Sequence, residues 1–424
     1  MAFDFSTMHS RFIILFFILF AIDLYVFQGV KVLVLHKSVS TQRIVTIIYW
    51  SVAILCLSFL LLANIFDWHQ WNKSFRTYSF AFVVAVYFSK ILIVLFLLID
   101  DVLRLFRWTG SLIGTTFFNR EKNVSGNGIS RYEFISKLGF VIAAIPFASM
   151  ICGMLRGPNR FDLRKVKISS PDLPDSFHGL KVLQISDLHV GSFLSPEPLV
   201  HAIELILEQK PDVIFFTGDL VNDRHEETLE YYDILKKIQA PLGVFSILGN
   251  HDYGDYYQWN SAAEKSENLD KLKSFHGKLG WNLMLNEHTY IEKAGEKIGL
   301  IGVENWSARG NFSKYGDLKK AVNGFEPKPF NILLSHDPSH WHAEVTGEHS
   351  YIDLTLSGHT HGFQFGIEIP GFKWSPVQYM YKEWADLYVQ GKQNLYVNRG
   401  LGWIGYPGRV GILPEITVFE LNKA

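Results

Sequence analysis

The chain has 424 residues, a formal net charge of −1, and 19% charged against 48% hydrophobic residues. Near-neutrality excludes a protein that finds nucleic acid through its overall charge, and no nucleic-acid partner is expected. The 2 cysteines, Cys56 and Cys152, both lie in apolar runs, which excludes a disulfide framework and a thiolate zinc site.

The charge deficit sits in the first third. Apolar stretches cover roughly 12–35, 44–65, 78–98 and 138–155. A helix needs about 20 apolar residues to cross a bilayer core; the first three stretches reach that length and the fourth is marginal. Such runs in succession predict a membrane region over 1–156 rather than a soluble helical core. Asp23 falls inside the first stretch and is expected near a helix end or in a helix–helix hydrogen bond.

Orientation follows from basic residues in the connections, which stay on the cytoplasmic side. Lys37 and Arg43 follow the first stretch, and Arg104, Arg107, Arg120, Lys122, Arg131 and Lys137 follow the third. The intervening connection has only Lys73 and Arg76, beside Asp67. With the fourth stretch spanning, everything after about Arg156 lies on the non-cytoplasmic side. Ser130-Arg131-Tyr132-Glu133-Phe134-Ile135 agrees, either as a worn twin-arginine export signal or as a plain basic flank. Residues 157–175 hold Pro158, Pro171 and Pro174 and read as a linker, leaving 176–424 as the globular domain.

From Lys181 the pattern changes. Val182–Ile185, Val213–Phe216, Val244–Leu248, Ile332–Leu334 and Leu354–Leu356 are short apolar runs, as expected of buried strands. Helical patterns cover Pro198–Gln209 and Glu226–Lys237, and a further helix is expected within 255–287. Asn394–Asn398 and Glu415–Leu421 read as closing strands around a glycine-rich loop. The alternation predicts an α/β domain with ligands at the carboxyl ends of its strands.

Each apolar run ends in polar ligand-type residues. They are Asp187-Leu188-His189, Gly218-Asp219-Leu220-Val221-Asn222-Asp223, Gly249-Asn250-His251-Asp252, Ser335-His336-Asp337 and Gly358-His359-Thr360-His361. Oxygen and imidazole donors without thiolate suit Mn, Fe or Zn. Two divalent metals about 3.5–4 Å apart can clamp the attacking and leaving oxygens of an in-line displacement.

These motifs, in this order, resemble the calcineurin-like metallophosphoesterase family over about Lys181 to Leu421, and its membrane-associated bacterial phosphodiesterases in particular. The tail resembles them too, at Tyr396-Val397-Asn398-Arg399-Gly400-Leu401-Gly402 and Pro414-Glu415-Ile416. The resemblance implies two packed β-sheets flanked by helices. It also implies that Asp187, His189 and His361 bind a first metal, that Asp219 bridges, and that Asn250, His336 and His359 bind a second. A metal-bridging hydroxide would be the nucleophile and His251 the catalytic histidine. Many relatives carry an aspartate three places after the bridging one to orient that histidine; Asn222 stands there, leaving Asn222, Asp223 and Asp252 as candidate orienters. Gly362-Phe363-Gln364 replaces the common Gly-Gln after the last motif, which changes the pocket wall. Arg399 and Arg409 are candidate phosphate contacts, and Trp306, Trp374, Trp384 and Trp403 are candidates for an apolar mouth or for core packing.

The reading is a membrane-anchored phosphodiesterase or pyrophosphatase acting on a phosphate ester or anhydride. Proximity to the bilayer favours a lipid-linked substrate, with a soluble nucleotide or phosphodiester as the alternative. A catalytically silent metal-binding sensor or scaffold would be expected to have lost ligands, and all seven are present. A transporter is disfavoured by the scarcity of charge inside the apolar stretches.

Overall fold

The computed structural model describes residues 5–66, 70–118, 131–310 and 312–424. Asp67, the basic residues Arg120 and Lys122, and Ser130 of the export-like motif lie outside them. Two compact units divide between Ile151 and Cys152.

The first unit is helical, with α1 (Phe5–Leu33), α2 (Val39–Ile65), α3 (Lys73–Phe118) and most of α4 (Arg131–Arg156). Among the described residues, four helices are long and apolar enough to cross a membrane, including the marginal fourth stretch. Ala53, Ala81 and Ala85 are buried between helices, where small side chains permit close approach. Many larger apolar residues face outward, such as Ile14, Phe17, Ile47 and Leu55.

Two features differ from expectation. α3 has 46 residues, about 69 Å at 1.5 Å per residue, and does not stop with its apolar run at Leu98. Arg104 pairs with Asp100 at 3.3 Å and with Asp101, and such spacings support a helix beyond the apolar part. The segment with Arg104 and Arg107, expected as a connection, is therefore helical. Asp23, in turn, is fully buried and ion-paired with Lys90 of α3. Tyr87 donates to its carboxylate at 2.9 Å, and Tyr49 donates to its backbone carbonyl at 2.7 Å. Lys90 sits within the third apolar stretch, where its charge is tolerated because it is paired.

The second unit packs two six-stranded sheets. In spatial order the first holds β1 (Asp162–Ser170), β14 (Glu415–Lys423), β2 (Leu180–Ile185), β3 (Val213–Phe216), β4 (Val244–Ser246) and β5 (Asn282–Leu283). The second holds β12 (Asp386–Gln390), β13 (Gln393–Val397), β9 (Leu354–Ser357), β8 (Asn331–Leu334), β7 (Glu296–Gly302) and β6 (Glu287–Lys293). A separate hairpin joins β10 (Ile367–Ile369) and β11 (Phe372–Trp374).

Val182, Phe215, Leu300, Leu334, Leu356 and Phe419 pack in one buried cluster fed by both sheets. Their chain neighbours Leu183, Ile185, Ile214 and Phe216 face the other way, against α5 (Glu197–Glu208) and α7 (Ala262–Leu279). Strands covered on both faces must be apolar at every position, which is why the sequence shows runs rather than alternation. The expected 157–175 linker contains β1, which pairs with β14 along its whole length. Leu163 packs on one core cluster and Val166 and Ile168 on the other, the period-two signature of a strand. The helical pattern at Glu226–Lys237 yields only a 3₁₀ segment (His225–Tyr231) and one short helix, α6 (Tyr232–Leu235).

Candidate metal centre

The five motifs lie at the carboxyl ends of β2, β3, β4, β8 and β9, the middle strands of the two sheets. Asp187, His189, Asp219, His359 and His361 all hold left-handed backbone, with φ from +44° to +72°. A non-glycine residue there is held at a cost of about 1–3 kcal/mol, so five at one rim mark a place where packing overrides backbone preference to aim side chains. Gly218 has φ +94°, and a Cβ on it would stand 2.5 Å from Gly249 N; the two ligand loops touch through bare backbone.

His361 Nε2 lies 3.2 Å from Asp187 Oδ1 and 3.1 Å from His189 Nε2. Asp219 Oδ2 lies 3.5 Å from His189 Nε2 and 3.2 Å from His336 Nε2. One carboxylate oxygen thus stands between the two halves of the site. Asn250 Oδ1 faces His359 Nδ1 at 2.8 Å.

Hydrogen bonds on the far sides set what these atoms offer. His359 Nε2 donates to the Tyr381 hydroxyl, which donates to Asp337 Oδ2; Nδ1 is left as a lone pair. Asn250 Nδ2 donates to the Tyr256 hydroxyl at 3.0 Å, so the atom facing His359 is the amide oxygen. Two acceptors therefore face each other. His189 Nδ1 donates to Asn222 Oδ1 at 3.1 Å, leaving Nε2 as a lone pair. His336 Nδ1 donates to the Thr217 carbonyl at 2.7 Å, and its buried Nε2 makes no hydrogen bond despite its closeness to Asp219. Arg409 donates to His361 Nδ1 at 3.3 Å, so the neutral His361 ring carries its proton on Nε2. The other donor atoms, oxygen and imidazole nitrogen only, suit divalent cations of the Mn, Fe or Zn type, which would displace that proton.

Charge agrees with that fit. Burial holds His189, His359 and His361 below the ordinary imidazole range, His189 at about 3, so they are neutral and able to ligate. Burial would raise Asp187 and Asp219, yet neighbouring imidazoles outweigh it and hold both below the usual carboxylate range. Burial would also lower His336, but Asp219 and Asp187 raise it to about 10. Two buried carboxylates demand positive charge here, and a divalent cation competes with that proton.

His251 stands beside this cluster and lines a cavity of about 200 Å³ with Asp219, Asn250, His359, His361 and Tyr381. Its Nδ1 donates to the Asn222 backbone carbonyl at 2.7 Å, and its own N–H donates to Asp219 Oδ1 at 2.9 Å. The orienting group is thus a main-chain carbonyl, and none of the three candidate side chains. The Asn222 side chain holds His189 instead. Asp223 has a buried oxygen without a partner. Asp252 accepts the N–H groups of Asp219, Leu220 and Gly249 at 2.8–2.9 Å, which locks two ligand loops together.

The arginine expectation is corrected. Arg399 is fully buried and spends its guanidinium on Glu415 (2.6 Å), Asp386 (2.8 Å) and Glu368 (2.9 Å). Arg409 is buried and donates to the carbonyls of His361, Arg399, Gly400 and Gly402. Both brace the loops behind the candidate ligands, and neither presents a free fork to phosphate. Trp384 and Trp403 are buried, Trp306 lies tilted against His340 at 4.6 Å, and Trp374 is half-buried at the end of β11. Tyr381, Tyr256 and Phe312, whose ring meets His359 at 4.8 Å, were not foreseen. Tyr256 lies in the aromatic excursion after Asp252, but no local pattern signals Tyr381.

The fold and site define a metal-dependent phosphoester hydrolase carried on a membrane chain. The calcineurin-like phosphoesterase family matches residues 180–363, and a family described as probable calcineurin-like phosphoesterase, transmembrane domain, matches residues 10–158. Metallophosphoesterase YkuE of Bacillus subtilis is 32% identical over 270 residues, covering 63% of this chain and 87% of that protein. A transmembrane protein with metallophosphoesterase domain from Danio rerio is 29% identical over 296 residues, covering 68% and 62%. The UDP-2,3-diacylglucosamine pyrophosphatase LpxG of Chlamydia muridarum is 28% identical over 299 residues, covering 62% and 89%. The chain belongs to the calcineurin-like metallophosphoesterase family.

Proposed function

We propose that the chain is a dinuclear-metal phosphodiesterase or pyrophosphatase that acts on a lipid-linked substrate on the non-cytoplasmic side of the membrane. In this reading Asp187, His189 and His361 hold one cation, Asn250, His336 and His359 the other, and Asp219 is shared. Such a pair, when bound, supplies a water nucleophile at neutral pH and neutralises charge in an in-line displacement. The observation that carries the reading is the donor-free meeting of Asn250 Oδ1 with His359 Nδ1, beside the unbonded Nε2 of His336.

The protein's own contribution is positioning and proton supply. With His251 Nδ1 engaged by the Asn222 carbonyl, Nε2 is the atom free to donate to a phosphoryl oxygen or to protonate the leaving oxygen. Asp252 keeps the Asp219 and Asn250 loops in register. The lipid-linked part draws on the four membrane helices and on the named substrate of the LpxG relative. The non-cytoplasmic placement draws on the basic residues after the first and third helices.

The test uses the full chain in detergent, assayed with added manganese or with chelator against bis(p-nitrophenyl) phosphate and p-nitrophenyl phosphate. Metal-dependent diester turnover that collapses in Asp219→Asn and His251→Ala is expected. Bound metal without turnover of any phosphate ester or anhydride would overturn the reading. Alkaline phosphatase fused after Ala424 should be active; an inactive but expressed fusion would put the domain in the cytoplasm.

A further inference from the structure

The β10–β11 hairpin is built inside out. Its register pairs Ile367 with Trp374 and Ile369 with Phe372, and alternation puts these four side chains on one face. Glu368 and Lys373 pair on the other. The charged face is the inward one. Glu368 accepts from Arg164 at 2.8 Å and Arg399 at 2.9 Å, while Lys373 donates to Asp386 and the Ala385 carbonyl at 2.7 and 2.8 Å. The apolar face is open: Ile367, Ile369 and Phe372 are 49%, 58% and 52% exposed. A half-covered antiparallel pair in water normally shows the reverse.

The exposure continues toward the metal centre. Trp374 donates to the Tyr379 hydroxyl at 3.4 Å, and Tyr379 and Met380 are 77% and 57% exposed. Met380 and Phe363, itself 55% exposed, line the cavity that holds Asp219, His251 and His361. An apolar surface therefore runs from the hairpin tip to the rim of the site. Soluble proteins rarely leave such a patch open, and one of this kind marks a docking surface.

The chain itself indicates the occupant. Only residues 157–161 lie between α4 and β1, about 18 Å at full extension, so a lipid surface is always within reach of this unit. Isoleucine, phenylalanine, tryptophan, tyrosine and methionine suit the boundary between headgroups and acyl chains. We propose that this face inserts into the bilayer surface and opens the cavity directly to lipid phosphoesters. Insertion stands on the hairpin's geometry; the consequence for substrate rests on the phosphohydrolase reading above.

Two readings on the reconstituted full chain separate them. The full chain, with Cys56→Ala and Cys152→Ser, is reconstituted in phosphatidylethanolamine–phosphatidylglycerol vesicles with a nitroxide on Ile369→Cys or Phe372→Cys. Both labels should be relaxed by oxygen and shielded from a water-soluble nickel chelate, with a label on Lys297→Cys showing the opposite. Labels as open to nickel as the Lys297 control, or shielded from both agents as by a second copy, would overturn insertion. In parallel, the Ile369→Ser/Phe372→Ser variant should lose about tenfold or more of turnover on a vesicle-embedded phospholipid with a p-nitrophenyl phosphodiester headgroup, with unchanged turnover of bis(p-nitrophenyl) phosphate. Equal turnover of both substrates by variant and wild type, or equal loss on both, would overturn the lipid-opening role. A wild-type chain inert toward both while its labels insert would overturn the hydrolase reading alone.

Discussion

The Tyr381 hydroxyl joins His359 to a buried carboxylate: it accepts from His359 Nε2 at 3.0 Å and donates to Asp337 Oδ2 at 3.1 Å. That chain fixes the imidazole tautomer that turns Nδ1 toward Asn250. Tyr381→Phe removes the acceptor and leaves Asp337 short of a donor. Outer partners of this kind are worth about 10–100-fold in metal affinity. Calorimetric titration of the full chain with manganese should show one of two sites weakened by that factor. Unchanged affinity with a reduced kcat would place the hydroxyl on the substrate instead.

His251 can be separated from metal binding because its backbone N–H, and not its ring, contacts Asp219. In His251→Ala the N–H remains, so metal content measured by plasma mass spectrometry should equal that of wild type. The rate should fall by about 10²–10⁴. Loss of metal along with activity would make the residue structural.

How much of this was legible follows from the kind of signal each part leaves. The five candidate metal-binding motifs were readable because a doubly covered strand must be an unbroken apolar run, and Asp187, Asp219, Asn250, His336 and His359 fall just past such runs. β1 was lost because it is a half-exposed edge strand, in which Arg164, Lys165 and Lys167 mask the inward Val166 and Ile168. α3 ran past its apolar segment because intrahelical pairs at Arg104 carry it, which hydropathy does not register. The contact of His251 with the Asn222 carbonyl was not legible because a main-chain carbonyl has no side-chain signature. Tyr381 reaches His359 across 22 residues, and only the folded backbone brings them together.

Arg399 distinguishes bracing from substrate binding. Its guanidinium, fully buried, lies among Glu415, Asp386 and Glu368. Removing one member of a buried ionic set costs about 3–5 kcal/mol, since the others stay charged and dry. Arg399→Ala should therefore lower the melting temperature sharply, and Arg399→Lys should restore only part, because an ammonium cannot reproduce the planar fork. The KM of surviving folded enzyme should not move. A raised KM at unchanged melting temperature would return this arginine to phosphate binding.

Asp353 gives a pH signature remote from the metal centre. Burial pushes its carboxyl from 3.8 up to about 6, while Oδ2 accepts the Asn331 N–H at 2.7 Å. The folded state then holds the proton more tightly than the unfolded one. Its contribution is complete below about pH 4 and disappears as pH rises through about 6. The shift corresponds to about 3 kcal/mol at most, and to about 1–2 kcal/mol after allowance for partial exposure. Asp353→Asn keeps the acceptor without the charge. It should melt higher than wild type at pH 8 and level with it at pH 4. Identical differences at both pH values would remove Asp353 as the cause.

Asp23 and Lys90 form the ionic contact at the centre of the helical unit, supported by Tyr87 and Tyr49. Lys90→Met strands a carboxylate in an apolar bundle, and Asp23→Asn strands an ammonium. Each single change should destabilise the detergent-solubilised chain by about 3–5 kcal/mol. The double variant Asp23→Asn/Lys90→Met removes both charges, and the Tyr87 hydroxyl can still donate to the amide oxygen. It should recover most of the loss, and a double-mutant cycle from thermal melts should show a coupling well above the error of additive sites. A pair that serves a transport path would behave differently: the double variant would be as stable as wild type yet abolish an ion flux across vesicles that wild type supports. Stability recovery without any wild-type flux assigns the pair to holding α1 against α3, which is the work expected of an anchor.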